Sequence, residues 1–481
     1  MSADLVANLE TPLPASLPAG GATAVFVYGT CFHRDARLAG LEILVDGARH
    51  RPLATGMPRP DVFRSLRADY SFRSAFWAIV PVEARAGRAD VELAVAARSA
   101  GGAETVAPLG RIAIAEPPVA PTLGRPPAPG LIAVCMATFE PDVELFRIQV
   151  ESLRAQTDER WVCVISDDAS GADHFAALTE VISDDPRFVV SRSEERLGFY
   201  RNFERALRLA PAEAELIALC DQDDRWRPEK LAVLRGALGP AQLVYSDQRL
   251  VDAEGRVLRD TLWAGRRNNH TDLVSLLVAN TITGAAALFR REVAELALPF
   301  PDTPGLPFHD HWIGLVALAA GDVAYVDRPL YDYVQHRGAF FGSVTHGGRP
   351  AGSARRWDPL RGGRGAYFRG YLHRDVLARV LLARCAERLS ARKRRALRRF
   401  GAAASSPFAF AWLAARPLRV LAGRTETLGS ESELVRGIVW RWIVAVLAAG
   451  AREPGRRPLD ASLPDLLSFE QKRLRRWRAR V

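Results

Sequence analysis

The feature that most restricts the fold is a series of short, continuous apolar runs that begins at Leu131. Leu131 to Ala137, Trp161 to Ser166, Phe188 to Val190 and Leu216 to Cys220 lack the polar alternation of a half-exposed strand. Such runs are expected where a sheet is covered on both faces. Between them, Asp142 to Gln156, Ala172 to Ile182 and Phe199 to Leu209 read as helices, and in the first Phe146, Val150 and Leu153 share one face. Strands and helices in alternation predict an α/β domain with a mostly parallel sheet. In such sheets, functional groups collect just past the carboxyl ends of the strands.

The flanks read differently. Ala24 to Tyr28, Leu41 to Val45, Phe76 to Val80 and Val91 to Val95 are short β-branched and aromatic runs, with turn signals at Asp46-Gly47 and Gly101-Gly102. This spacing predicts a small β-sandwich over residues 1–125. Glu116 to Gly130 holds six prolines and reads as a linker. The α/β domain then covers 126–345. From 346 to 481 the amphipathic segments Tyr367 to Leu397, Ser405 to Leu421, Leu434 to Ala449 and Leu466 to Arg478 predict a helical domain.

Charge divides the chain in the same place. The net +10 hides 30 Lys and Arg against 10 Asp and Glu from 341 to 481, which leaves −10 on the first 340 residues. Solvated helix faces explain such an excess, and so does attraction to anionic lipid head groups or to a phosphate-bearing acceptor. No zinc-finger spacing or aromatic RNA-binding motif accompanies it, so nucleic acid is not expected as a partner. Gly437 to Gly450 is the best membrane-span candidate; it is short against the roughly 20 apolar residues a span needs and carries Arg441. Met1 to Leu5 lacks the pattern of a secretory signal, and Cys135, Cys163 and Cys220, three of five cysteines, lie in apolar runs. These features set the expectation of a cytoplasmic protein, peripheral on the inner face of the plasma membrane if the basic region binds lipid.

Polar clusters follow the predicted strands in order. Thr138-Phe139-Glu140 follows the first, Asp167-Asp168-Ala169-Ser170 the second and Asp221-Gln222-Asp223-Asp224 the fourth; His309-Asp310-His311-Trp312 comes later. Any one Asp here suits a helix cap: Asp221 to Asp224 for a helix entering near Pro228, and Asp310 for the helix through Trp312, Leu315 and Leu318. Together they place carboxylates around one crevice, which calls for a cation. Two carboxylates one residue apart reach one Mg²⁺ or Mn²⁺, whose remaining positions go to water and phosphate oxygens. Such an ion stabilises charge growing on a diphosphate leaving group. A sugar hydroxyl attacking an anomeric carbon then needs only one positioned base, which fits inversion by direct displacement rather than a two-carboxylate glycosidase.

This ordered set resembles the family 2 glycosyltransferases of GT-A fold, in particular bacterial rhamnosyltransferase-like members. The resemblance covers about 130–345 and includes Leu197-Gly198-Phe199-Tyr200-Arg201-Asn202, Asn280-Thr281-Ile282-Thr283-Gly284 and Tyr333-Val334-Gln335-His336. It implies that Thr138, Glu140 and Asp167 line the nucleoside pocket and that Asp221 faces the ribose and the metal. It further implies Asp223 as a metal ligand, Asp310 as catalytic base and His336 near the metal or diphosphate, while Asn202 either caps locally or reaches toward the nucleotide. Val334 stands where the family usually has Arg, and His311 where it often has Trp. The implied partners are a nucleotide-diphospho-sugar donor, rhamnose being the suggested sugar, and a cell-surface glycan or lipid-linked acceptor. A galactofuranosyltransferase of similar architecture is the alternative donor reading, and a non-catalytic glycan-binding protein the alternative of another class.

Overall fold

The structure, a computed structural model, describes residues 4–116, 129–263, 267–336 and 362–450, with side chains as far as 446. Most of the proline-rich stretch, the expected boundary near 345 and the segment Leu466 to Arg478 lie outside the described residues.

The central domain consists of β1 (Ile132–Thr138), α1 (Val143–Arg154), β2 (Trp161–Asp167), α2 (Ala172–Ile182), β3 (Phe188–Arg192), α3 (Phe199–Arg208), β4 (Leu216–Cys220), β5 (Arg225–Trp226), α4 (Lys230–Leu238), β6 (Leu243–Asp252), β7 (Val257–Arg259), α5 (Leu273–Val278), β8 (Ala287–Arg290), α6 (Arg291–Ala297), α7 (His309–Ala320) and β9 (Val323–Gln335). The strands order as β3-β2-β1-β4-β8-β6-β9-β5, with β7 on β6. β1 runs parallel to both β2 and β4, β2 to β3, and β6 to β9, whereas β8 is antiparallel to both of its neighbours. The chain steps outward from β1 to β3 and then returns to the other side of β1 with β4. The carboxyl ends of β1 and β4 therefore open on the crevice where strand order reverses. All residues of β2 and β4 are buried, as their unbroken apolar character requires. α1 starts where Asp142 accepts from the amides of Glu144 and Leu145, a capping arrangement that satisfies donors the helix cannot.

The N-terminal region is a β-sandwich. One sheet pairs Leu5–Leu9, Ala22–His33, Ala75–Glu83 and Ala54–Met57; the other pairs Ser16–Pro18, Glu104–Ala115, Asp90–Ser99, Leu38–Val45 and Ala48–His50. Val25, Val27, Phe76 and Val80 meet Ile43, Val91, Leu93 and Ile112 between the sheets. The alternate residues Phe26, Tyr28 and Trp77 are buried too, against the C-terminal helices, with Trp77 5.2 Å and Tyr28 5.8 Å from the ring of Phe368.

The C-terminal region contains α8 (His373–Arg384), α9 (Ala391–Gly401), α10 (Pro407–Ala415) and α11 (Glu431–Gly450). The span candidate Gly437 to Gly450 is the second part of α11. Among the described residues, no helix is long and apolar enough to cross a membrane.

Candidate functional site

The two turns after β1 and β2 are built as one unit. Glu140 and Ala169 take left-handed backbone conformations, at φ 40° and 58°, which non-glycine residues adopt only at a cost of roughly 1–2 kcal/mol. The Glu140 amide donates to Ser170 Oγ at 2.8 Å, and Ser170 donates from Oγ (2.6 Å) and from its amide (3.0 Å) to the two oxygens of Asp167. Thr138 Oγ1 also donates to Asp167, at 3.2 Å. Thr138 and Asp167 thus come together, and Asp167 is wholly buried and accepts from the chain's own donors. Glu140 is exposed at the rim.

Asp168 joins this unit to the next motif. Its oxygens accept from the amides of Leu197 (2.6 Å) and Gly198 (2.9 Å), so it fixes the approach to α3; burial pushes its carboxyl up against that help. Asn202, read as a local cap or as reaching toward a nucleotide, makes its bonds within the fold. Its amide nitrogen donates to the carbonyls of Thr138 (3.1 Å) and Ser166 (2.9 Å), and its oxygen accepts from Ser166 Oγ at 2.7 Å. Buried carbonyls at a strand end need donors, and Asn202 supplies two.

Across the switch point, Gln222 clamps the acidic loop to the end of β1: its oxygen accepts from the Phe139 amide at 2.8 Å and its nitrogen donates to the Phe139 carbonyl at 3.2 Å. Nothing in the local sequence marks Gln222 for this part beyond its position between two Asp residues. The loop does not cap the following helix, because α4 is entered from Glu229 without a side-chain cap. Asp224 instead turns inward and accepts from the Val334 amide at 3.3 Å, and its second oxygen is buried without a hydrogen-bond partner. Burial, with Asp221 and Asp223 beside it, drives its carboxyl far up.

Asp221 and Asp310 are half-buried and close enough for the charge of Asp310 to act on Asp221. Burial, then the charges of Asp223 and Asp310, pushes the Asp221 carboxyl up to about 7. Burial likewise pushes Asp310 up to about 7. Asp310 sits in the first turn of α7, whose cap position is Phe308; its Oδ1 accepts from Asn280 Nδ2 at 3.1 Å and from the His311 amide at 2.5 Å. The Asn280-to-Gly284 motif therefore orients Asp310. Tight packing is evident at Gly284, where an added Cβ would lie 2.7 Å from His309 Nε2.

His336, at the end of β9, places Nε2 2.7 Å from Asp223 Oδ2, and this bond favours its protonated form. His309 and His311 belong to the core instead. His309 stacks on Phe203 at 3.7 Å and His311 contacts the Leu276 carbonyl at 2.8 Å; burial pushes both down to about 3. Beneath the acids lies Lys230, wholly buried, with Nζ 3.1 Å from the Trp226 ring centroid and bonded to the Ala285 carbonyl. Its burial was not legible, because one Lys at the start of an amphipathic helix ordinarily faces water.

The residues expected to hold a divalent cation satisfy one test and lack one component. Asp221, raised by burial and then by its neighbours, and an orphaned oxygen on Asp224 are the electrostatic deficit that a cation would relieve. Among the described residues, however, no group of three or more His, Cys, Asp or Glu is already arranged around a metal position. Asp223 with His336 or Asp221 would hold such an ion only together with oxygens from another molecule, as Mg²⁺ and Mn²⁺ commonly are held beside phosphate. A cavity of about 210 Å³ lined by residues including Cys31, Arg37, Asp69 and Tyr70 lies in the sandwich and shares no residue with this cluster.

Residues 134–296 match the family model described as Glycosyl transferase family 2. The match includes Asp167, Asp221 and Asp223, while Asp310 and His336 lie beyond it. No curated protein matches the chain in sequence. Among solved structures, the chain is similar to S. aureus TarS 1–349 in complex with UDP-GlcNAc, at 15% identity over 63% of this chain and 90% of that one, with a TM-score of 0.39. It is also similar to the mannosyltransferase PcManGT from Pyrobaculum calidifontis in complex with GDP-Man and Mn²⁺, at 17% identity over 67% and 89%, with a TM-score of 0.34. Similarity at this level carries no conclusion about donor or acceptor. The family match falls on the strand ends that form the acidic cluster, and over this segment the chain matches the family 2 glycosyltransferases.

Proposed function

We propose that the enzyme is an inverting, metal-dependent transferase that moves a sugar from a nucleotide-diphosphate donor to a hydroxyl of a cell-surface glycan or lipid-linked acceptor, with rhamnose as the first sugar to test. The observation that carries the reading is that Asp310 and Asp223 both lie close enough to Asp221 to raise its carboxyl, with Asp310 itself pushed up to about 7. A carboxylate with that affinity for protons is matched to abstraction near neutral pH. Asp310, held by Asn280 and the start of α7, takes the proton from the attacking hydroxyl. Asp223, Asp221 and His336 hold the cation, and Thr138, Glu140 and Asp167 border the nucleoside. A bound Mn²⁺ or Mg²⁺ supplies Lewis acidity to the departing diphosphate. Because a metal-assisted diphosphate leaving group requires no second carboxylic acid, one base suffices for displacement from the opposite face, which inverts the anomeric centre.

The deciding experiment is a panel of nucleotide sugars scored for manganese-dependent hydrolysis without acceptor. Turnover of deoxythymidine-diphosphate-rhamnose supports the leading reading. Preference for uridine-diphosphate-galactofuranose moves the donor assignment, and absence of turnover on every donor would sink the catalytic reading. The working location proposed is the cytoplasmic face of the plasma membrane.

A further inference from the structure

The largest exposed apolar side chains of the described protein are concentrated in α10 and the 3₁₀ turn that continues it, Arg416–Ala422. Phe408 is 85%, Leu418 63% and Leu421 86% exposed. Their spacing is not random. Phe408, Ala411 and Ala415 recur at the α-helical interval, and Ala415, Leu418 and Leu421 at the three-residue interval of the 3₁₀ turn, so all five lie along one outward stripe, and all are exposed. The other side of this segment is fastened to the body. Ala409 and Leu413 are buried, and the buried Arg416 bonds Glu431 at 3.2 Å and Ser275 Oγ at 2.8 Å. The stripe is therefore a held surface and not a loose end.

A second observation identifies what it meets. α9 packs beside α10, where the guanidinium of Arg399 lies 4.9 Å from the Trp412 ring centroid. Arg392, Arg395 and Arg399 share one face of α9 and are exposed. Among the described residues, no carboxylate pairs with Arg392 or Arg395. A second copy pressed onto the stripe would bring two arginine rows together, and the chain's own segment 451–481 carries nine Lys and Arg against four Asp and Glu. Both are like-charged occupants. An apolar stripe bordered by unpaired cations complements a surface that is apolar within and anionic outside.

We propose that α10 and its 3₁₀ extension lie in the interface of an anionic lipid bilayer, with Phe408, Leu418 and Leu421 inserted among the acyl chains and the arginines of α9 on the head groups. The proposal deepens the reading of a membrane-borne acceptor and rests on it only for its purpose, since docking is measured without turnover.

The test uses the full chain with two sets of vesicles, phosphatidylcholine alone and phosphatidylcholine with about a third phosphatidylglycerol, scored by co-sedimentation at low and raised salt. The expected result is binding to the anionic set that weakens with salt. Phe408→Ser/Leu418→Ser/Leu421→Ser should lower it by about tenfold or more, and Arg392→Glu/Arg395→Glu by a similar factor. Because these side chains are exposed, the unfolding midpoint of both variants and their donor hydrolysis without vesicles should match the parent protein. That hydrolysis reports on the transferase reading alone, so the two proposals fail separately. Equal binding to both vesicle sets, no binding to the anionic set, or unchanged binding by the serine variant overturns the proposal. So does a self-associated species that the serine variant abolishes, which would assign the stripe to a second copy.

Discussion

The two ends of the central sheet hold the same residue type in opposite electrostatic states. At the amino end, burial works to raise Asp158, yet Arg160 at 3.0 Å and Arg235 outweigh it and hold the carboxyl below its ordinary value. Asp185, bonded by Arg187 at 2.7 Å and near Arg154, is likewise held down. At the carboxyl end, Asp221, Asp224 and Asp310 are all raised, and the one Lys among them is buried and bonded to a carbonyl. Asp158 and Asp185 are neutralised by neighbouring arginines, whereas Asp221, Asp224 and Asp310 are left in deficit. That deficit is a standing free-energy cost which an external cation would remove.

The sharpest way to break this comparison is at Asp310. Asp310→Asn should lower the transfer rate by about 10²–10⁴-fold while donor affinity by calorimetry stays within a few-fold. Retained turnover would end the base assignment. Next comes Asp223→Asn, expected to raise the Mn²⁺ concentration for half-maximal activity by at least the roughly 10–100-fold that losing a supporting partner costs at metal sites. An unchanged metal titration would move the ligand set elsewhere in the crevice.

A third expectation concerns pH without metal. Because the folded values of Asp221 and Asp310 are raised to about 7, the folded state binds more protons than the unfolded state between about pH 4 and 7. Stability of the metal-free protein therefore falls as pH rises through that window, by about 2 kcal/mol or more for each group. Mn²⁺ should restore it above pH 7, and Asp310→Asn should flatten the dependence; denaturant midpoints measured across pH decide both. The smallest effect is expected at the amino end. Asp158→Asn should cost about 1–3 kcal/mol of stability, by chemical denaturation, and leave turnover unchanged. A lost rate there would mean that the two ends are coupled.

Much of the central domain was legible because its signals are local. The apolar runs of β2 and β4 and the helix α2 start and end within a residue of the sequence reading, since a doubly covered strand has no polar alternation to confuse it. The acids were legible as a set because parallel strands deliver their carboxyl ends to one crevice. Which acid does what was not. Asp168 became a brace for Leu197 and Gly198, and Asn202 a strut between β1 and β2, because each found backbone partners that are distant in sequence. The strands of the sandwich were readable, but not that Ala22–His33 is covered on both faces, since the second cover comes from Tyr367 and Phe368 more than 300 residues away.

Sequence by itself determined the alternation of strand and helix, the switch point it implies and the residue types that surround it, because periodicity and turn chemistry act over a few residues. Tertiary structure alone decided which carboxylates are paired and which are left raised, that Lys230 is buried beneath them, and that Phe408, Leu418 and Leu421 are exposed among the described residues. Those outcomes depend on solvent exclusion and on charges brought together from distant segments. Neither quantity exists until the chain has packed.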